Sequence, residues 1–182
     1  MIFEPSRLEG AFLIRPELHH DERGAFARTM CQRELAEHSI GETFVQENIS
    51  LSAHAGTIRG MHFQRSPYGE GKLIRCIRGA VHDVIVDARL GSPTYLQSQA
   101  YVLDGETRDQ LYIPRGFAHG FQTLVDDVEM TYLMTDFYRP GAEAGFRFDD
   151  PILGIEWPLP VGPISQRDIS WPLLAGAYVP VA

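Results

Sequence analysis

Residues 46–64, QENISLSAHAGTIRGMHFQ, decide how this chain reads, and residues 111–121, LYIPRGFAHGF, echo them. Each segment delivers a histidine, His62 or His119, from an apolar, strand-like run beside a glycine turn. The first also carries Arg59, and Lys72 follows close behind. A base, a second imidazole and two cations gathered in one concave, strand-built site suit an anionic substrate that must lose a carbon-bound proton.

Outward from these segments, turn signals recur at short intervals: Asp21-Glu22-Arg23-Gly24, Ala55-Gly56, Arg78-Gly79, Gly91-Ser92-Pro93, Asp104-Gly105 and Arg139-Pro140-Gly141. Runs rich in β-branched and aromatic residues lie between them, clearest over 73–77, 80–88, 95–103 and 128–132. In Val81-His82-Asp83-Val84-Ile85-Val86-Asp87 the acids and His82 are interspersed among the valines, as expected of a sheet face that partly lines a polar cavity. Many short strands at this spacing predict an all-β sandwich or barrel. Residues 31–38 break the pattern. They follow Thr29, a candidate N-cap, and end near Gly41, which predicts a short helix. Pro151, Pro158, Pro160, Pro163, Pro172 and Pro180 punctuate the C-terminal tail, which is expected to run over the surface as loops and brief turns. The expectation is one domain over 1–182, with N-terminal strands and the short helix in 1–45 and the loop-rich tail in 150–182.

A chain of 182 residues with 44% apolar content is long enough for one domain with a sizeable core. Its net charge of −8 argues against general nucleic-acid affinity, which needs a basic surface to neutralise phosphates. Cys31 and Cys76 stand far apart in sequence and fit free thiols in a reducing cytoplasm better than a disulfide. The N-terminus has an early acid and no long apolar run, unlike a signal peptide. No stretch approaches the roughly 18 uncharged apolar residues of a membrane span. The chain is expected to be soluble and cytoplasmic, without nucleic-acid or membrane partners.

Gly56-x5-His62-x-Gln64 and Pro114-x-Gly116-x2-His119 resemble the two signature segments of the cupin superfamily, which implies a jelly-roll barrel, the double-stranded β-helix, with a few short helices. In metal-binding cupins the first segment supplies two histidines and a glutamate. Here Gln64 replaces the second histidine, and the nearest acid, Glu70, lies along a Pro-Tyr-Gly loop. Two imidazoles and an amide make a poor site for a divalent ion, so no metal is expected.

The resemblance narrows further. Asp21-x-Arg23-Gly24-x-Phe26, Gln46-x-Asn48-x-Ser50-x-Ser52, Arg59-Gly60-x-His62-x-Gln64 and Gly71-Lys72-Leu73-Ile74-Arg75 occur in order. They are followed by Gly79-x3-Asp83-Val84, Gln110-x-Tyr112-Ile113-Pro114, Gly116-Phe117-Ala118-His119-Gly120-Phe121, Asp149-Asp150-Pro151 and Ser165-x2-Asp168. In these segments the chain resembles the nucleotide-sugar 3,5-epimerases, typified by dTDP-4-dehydrorhamnose 3,5-epimerase. The resemblance implies a cofactor-free epimerisation at C3 and C5 of a nucleoside-diphosphate 4-keto-6-deoxyhexose. It implies His62 as the base, oriented by Asp168, and Lys72 as the cation that stabilises the enolate oxygen. Tyr132 is then the acid on the opposite face. Arg23, Arg59 and His119 resemble the pyrophosphate-binding set, with Asp83 as a partner for His119. Gln46, Asn48, Tyr138 and Glu143 complete the substrate-binding set. A neutral histidine, with an unperturbed pKa of about 6.5, suits the base role. Arg75, Arg78 and Arg89 are expected to be solvated or structural. Family members commonly form homodimers by exchanging N-terminal strands, so Arg23 and Arg28 are expected to reach a neighbour's site.

Two departures bear on specificity. The family often has an aromatic near position 19 and a glutamate near position 28, both serving the nucleotide base, whereas this chain has His19 and Arg28. An arginine donor suits cytosine N3 as a carboxylate suits thymine N3–H, so a CDP-linked substrate stands beside a dTDP-linked one. Leu133 and Phe137 after the acid could reshape the sugar pocket and restrict turnover to one centre. Readings of another class are a metal-dependent cupin oxygenase or isomerase and a non-catalytic sugar-nucleotide binding module. A binding module needs neither base nor acid.

Overall fold

The computed structural model describes residues 1–174. Its N-terminal elements are β1 (Ile2–Pro5), β2 (Phe12–Arg15), β3 (His19–Asp21), β4 (Gly24–Phe26) and α1 (Gln32–Glu37). The strands β5 (Gln46–Ser52), β6 (Ile58–Gln64), β7 (Lys72–Arg78) and β8 (Ala80–Asp87) follow. After them come β9 (Ser98–Asp104), β10 (Gln110–Ile113), β11 (Phe117–Thr123), β12 (Val128–Met134), β13 (Glu143–Gly145) and α2 (Gln166–Ile169). One sheet holds six strands in the order β1-β2-β10-β7-β12-β5, another five in the order β13-β6-β11-β8-β9. Strands distant in sequence lie side by side, and the main sheet pairings are antiparallel. This is the expected jelly roll of two facing sheets.

The two-residue period of a strand sorts side chains between the barrel interior and its flanks. Val81, Ile85, Phe117, Phe121, Val128 and Met130 point inward and join Ile74, Leu111 and Ile113 in one buried cluster. Met61, Phe63, Val84, Val86 and Ala118, from the opposite face of the five-stranded sheet, pack under Phe146, Leu153 and Leu174 of the C-terminal segment. Leu73 and Leu133 point outward from the other sheet and pack with Ile14, Leu35, Ile40 and Tyr112, beneath α1. β8 is therefore covered on both faces, which explains its nearly continuous valine and isoleucine run. Burying a side chain of that size contributes about 1.5–3 kcal/mol, so the three clusters dominate the favourable side of folding.

Where local reading and structure differ, the cause is a hydrogen bond to a distant residue. Thr29 does not cap α1. The N-cap is Cys31, whose side chain makes no capping bond, while the Thr29 carbonyl accepts from Gln110 Nε2 at 2.7 Å. The strand expected over 95–103 starts later, at Ser98. Residues before it form a turn in which Leu96 N donates to the Asp87 carbonyl at 2.8 Å. Of the expected C-terminal tail, residues 150–174 form loops and the short α2, and 175–182, with Pro180, lie outside the described residues.

Candidate active site

β6 and β11 lie side by side with His62 directly opposite His119 in register. The glycines of the two motifs permit this approach. A Cβ on Gly60 would fall 2.4 Å from Gly120 Cα, and one on Gly120 would fall 2.6 Å from Met61 Sδ. Period-two alternation then turns Met61 and Phe63 outward, and His62 and Gln64 line the inner surface.

The inner surface opens into a cavity of about 680 Å³ between the two sheets. From β5 come Gln46, Asn48 and Ser50, from β6 Arg59 and His62, from β7 Lys72, and from β11 and β12 His119 and Tyr132. Tyr138, Glu143 and Asp168 complete the set. Of the residues named from sequence, Asp83 is fully buried behind the wall, where Oδ2 accepts from His119 Nε2 at 2.8 Å. Arg23 and Arg28 stand apart. Arg23 pairs with Asp21 at 2.5 Å in the exposed β3–β4 hairpin, and Arg28 pairs with Glu34 at 2.5 Å. Neither lines this chain's own cavity.

The first dyad joins His62 Nε2 to Asp168 Oδ1 at 2.6 Å. An ionised carboxylate can only accept, so Nε2 carries the hydrogen and Nδ1 keeps the lone pair. Burial alone would raise the Asp168 carboxyl, but the hydrogen bond and charge of His62 hold it below the ordinary carboxylate range. Asp168 is placed by α2, whose N-cap Ser165 accepts from Asp168 N at 3.1 Å, and by a bridge between Ile58 and Ile164. Tyr132 Oη lies 2.8 Å from Ser50 Oγ. Burial raises the Tyr132 hydroxyl well above the tyrosine range, so it holds its proton at neutral pH. The Arg59 guanidinium is aimed by β5, donating to Ser52 Oγ at 3.2 Å and to the Leu51 carbonyl at 2.9 Å.

Lining residues that sequence reading missed include Ser50, Arg167 and Glu70. Ser50 shares the face of Gln46 and Asn48, a signal present in the alternation Gln46-x-Asn48-x-Ser50. Arg167 reaches the cavity from the short α2 beside Asp168, where nothing local marks it. Glu70, weighed from sequence only as a metal ligand, is buried at the cavity wall against Lys72. Gln64 is consumed by backbone: its amide donates to Tyr68 O at 3.0 Å and accepts from Arg139 N at 2.7 Å. Leu133 packs outward under α1 and Phe137 stands half-exposed, and neither lines the cavity, which corrects the expectation that they reshape the sugar pocket. Arg78 and Arg89 are structural. Arg78 Nε donates to Asp127 O at 2.9 Å, and Arg89 lies 4.7 Å over the Phe117 ring. Burial pushes the Cys76 thiol up to about 11, so it remains an unreactive thiol at neutral pH.

With this geometry in place, comparison with known proteins is decisive. Residues 5–176 match the family model of dTDP-4-dehydrorhamnose 3,5-epimerase. The chain belongs to that family. A dTDP-4-dehydrorhamnose 3,5-epimerase of Sinorhizobium fredii is 42% identical over 175 residues, spanning 96% of this chain and 90% of the relative. A dTDP-4-dehydrorhamnose 3-epimerase of Streptomyces niveus is 39% identical, spanning 97% of this chain and 86% of the relative. The crystal structure of a dTDP-4-dehydrorhamnose 3,5-epimerase from Bacillus anthracis, with TDP and PPi bound, superposes with a TM-score of 0.92 at 39% identity. It covers 95% of this chain and 99% of that one. The family is one of carbohydrate isomerases on a cupin-type barrel, and the jelly roll described above is that barrel.

Proposed function

We propose that this chain epimerises C3 and C5 of a dTDP-linked 4-keto-6-deoxyhexose, of the dTDP-4-dehydro-6-deoxyglucose to dTDP-4-dehydrorhamnose type. The observation that carries the reading is the placement of base and acid. His62 with Asp168 stands on the five-stranded sheet, and Tyr132 on the six-stranded sheet across the cavity. The C4 ketone acidifies the hydrogens at C3 and C5. His62 Nδ1 takes one of them, and the electron pair moves onto the C4 oxygen as an enolate. Lys72 stabilises that charge, as a preorganised cation does in a water-poor site. Tyr132 returns a proton to the carbon from the other face, and the centre is inverted. Proton transfers alone make up the cycle, so no cofactor is required.

Arg59 and His119 suit the diphosphate, because guanidinium forks match phosphate oxygens bidentately. Gln46, Asn48, Tyr138 and Glu143 offer neutral and acidic partners to the sugar and nucleoside. A thymidine base is favoured over cytosine because the similar proteins are named for dTDP-linked sugars and the Bacillus anthracis structure holds TDP. A homodimer is part of the proposal. Among the described residues β3 and β4 pair only with each other, and Phe26 at their end is 75% exposed, a poor arrangement unless a second subunit receives the hairpin. The two free thiols fit a cytoplasmic setting.

The test is NMR of dTDP- and CDP-linked 4-keto-6-deoxyglucose incubated with the protein in deuterium oxide. The expected result is deuterium at both C3 and C5 of the dTDP sugar, lost in His62→Ala. Label at one carbon only makes the chain a monofunctional epimerase, and turnover of the CDP sugar alone removes the thymidine assignment.

A further inference from the structure

Glu70 and Lys72 form a buried ion pair that the catalytic cycle above does not use. Glu70 Oε1 lies 3.1 Å from Lys72 Nζ, and the residues are 7% and 6% exposed. Lys72 Nζ also donates to the His62 carbonyl at 3.1 Å. An ammonium has three donors, and its one hydrogen bond, to the His62 carbonyl, leaves donors for Glu70 and for a ligand in the cavity. Glu70 Oε2 is buried and has no hydrogen-bond partner among the described residues.

The loop carrying Glu70 is fixed from both sides. Gly71 N donates to Thr135 Oγ1 at 2.7 Å, and Thr135 N donates back to Gly71 O at 3.0 Å. The Arg115 guanidinium donates to the Gly69 carbonyl and to Glu42. A carboxylate kept in place with one oxygen unsatisfied is costly, and buried ion pairs are weak contributors to stability. Its presence therefore asks for a reason beyond folding.

We infer that Glu70 is a positioning residue that limits how strongly Lys72 stabilises the enolate, so that the intermediate is returned to carbon quickly. With no partner for Oε2, the charge of Glu70 is directed at the single ammonium. When negative charge develops on the C4 oxygen, two anions share one cation at close range in a water-poor site, where their repulsion is strong. The enolate forms, but it is not held deeply enough to linger. Reprotonation by Tyr132 then outruns exchange of the His62 proton with solvent. The inference rests on the reading that places Lys72 at the C4 oxygen.

Glu70→Gln removes the charge and keeps an acceptor for Lys72. In deuterium oxide, NMR separates label returned to unepimerised substrate from label in inverted product. The expected result for E70Q is a KM close to wild type and a ratio of retained to inverted label raised by roughly threefold or more. Glu70→Asp, which restores the charge, returns the ratio toward wild type. Should E70Q fold poorly, Glu70→Ala, which admits water beside Lys72, must move the ratio the same way. An unchanged ratio, or an equal loss of both kinds of label, overturns the inference. Lys72→Ala separates the two readings. Undiminished exchange there removes Lys72 from the C4 oxygen, whereas lost exchange with an unmoved E70Q ratio removes Glu70 alone.

Discussion

Asp168 lies 106 positions from His62 in sequence and 2.6 Å from its ring in space. Nothing in its immediate neighbours announces a partner for a histidine, and only the resemblance of Ser165-x2-Asp168 to the family pattern pointed to it. The dyad makes a sharp prediction. In Asp168→Asn the amide can donate to Nε2 and hold the imidazole in the wrong tautomer, so kcat should fall about 10²- to 10⁴-fold with KM little changed. Steady-state kinetics decide it, and a loss confined to KM would move Asp168 from orienting the base to binding substrate. The sign with pH follows from the lowered Asp168 carboxyl. The ion pair persists as pH falls through the ordinary carboxylate range and is lost only on passing the lowered folded value. The other dyad, His119 with Asp83, was likewise implied by the family resemblance, while the chain itself showed only an acid set in a valine-rich strand. Glu70 was not, because its partner is chosen by a loop conformation that Thr135 and Arg115 impose.

Among the elements, the close pairing of β6 with β11 is the most constrained. Gly120→Ala would place a Cβ 2.6 Å from Met61 Sδ and 2.9 Å from the Arg59 carbonyl. Backbone cannot yield as a flexible side chain can, so stability should drop by about 1–3 kcal/mol, with activity falling further as His62 and His119 separate. Denaturant unfolding measured beside kcat checks both, and an unchanged midpoint would show that the strands can move apart freely. The corner after β8 supplies a second prediction. Burial alone would raise the Asp87 carboxyl, but Arg89, Ser92 and Thr94 hold it down at about 2. Its stabilising contribution is present above the unfolded value of about 4 and is lost as pH falls toward the folded one. Asp87→Asn should therefore be less stable at neutral pH, with a shallower loss of stability between those two values. The same corner explains why alternation misplaced the start of β9. The pattern over 95–103 is strand-like, yet hydrogen bonds to Asp87 spend its first residues on a turn.

At the scale of the whole molecule, the arrangement of N-terminal strands asks for a partner. Arg23 is exposed on a hairpin whose strands pair, among the described residues, with no other strand, and its present partner is Asp21 rather than the cavity. If the hairpin completes a neighbouring subunit's site, Arg23→Ala and His62→Ala, each impaired alone, should complement when mixed under exchange. Random assortment yields one intact site in half of the dimers, so about a quarter of wild-type activity should return. No recovery, with mixed dimers confirmed by mass, would place Arg23 outside catalysis.

An all-β sandwich or barrel, with two histidines and nearby cations on strand-like runs, follows from local rules in the chain itself, while the jelly roll was implied by the resemblance of the two histidine segments to cupins. Turn residues set strand lengths, the two-residue period decides which side chains enter the barrel, and paired glycines in the two motifs allow the strands to meet. Those rules act over a few residues and are written where they act. What waited for tertiary structure were the pairings across the barrel: Asp168 on His62, Ser50 on Tyr132, Glu70 on Lys72 and the outward turn of Leu133. Each depends on which strands become neighbours, and that is decided by packing of the whole core rather than by any segment alone.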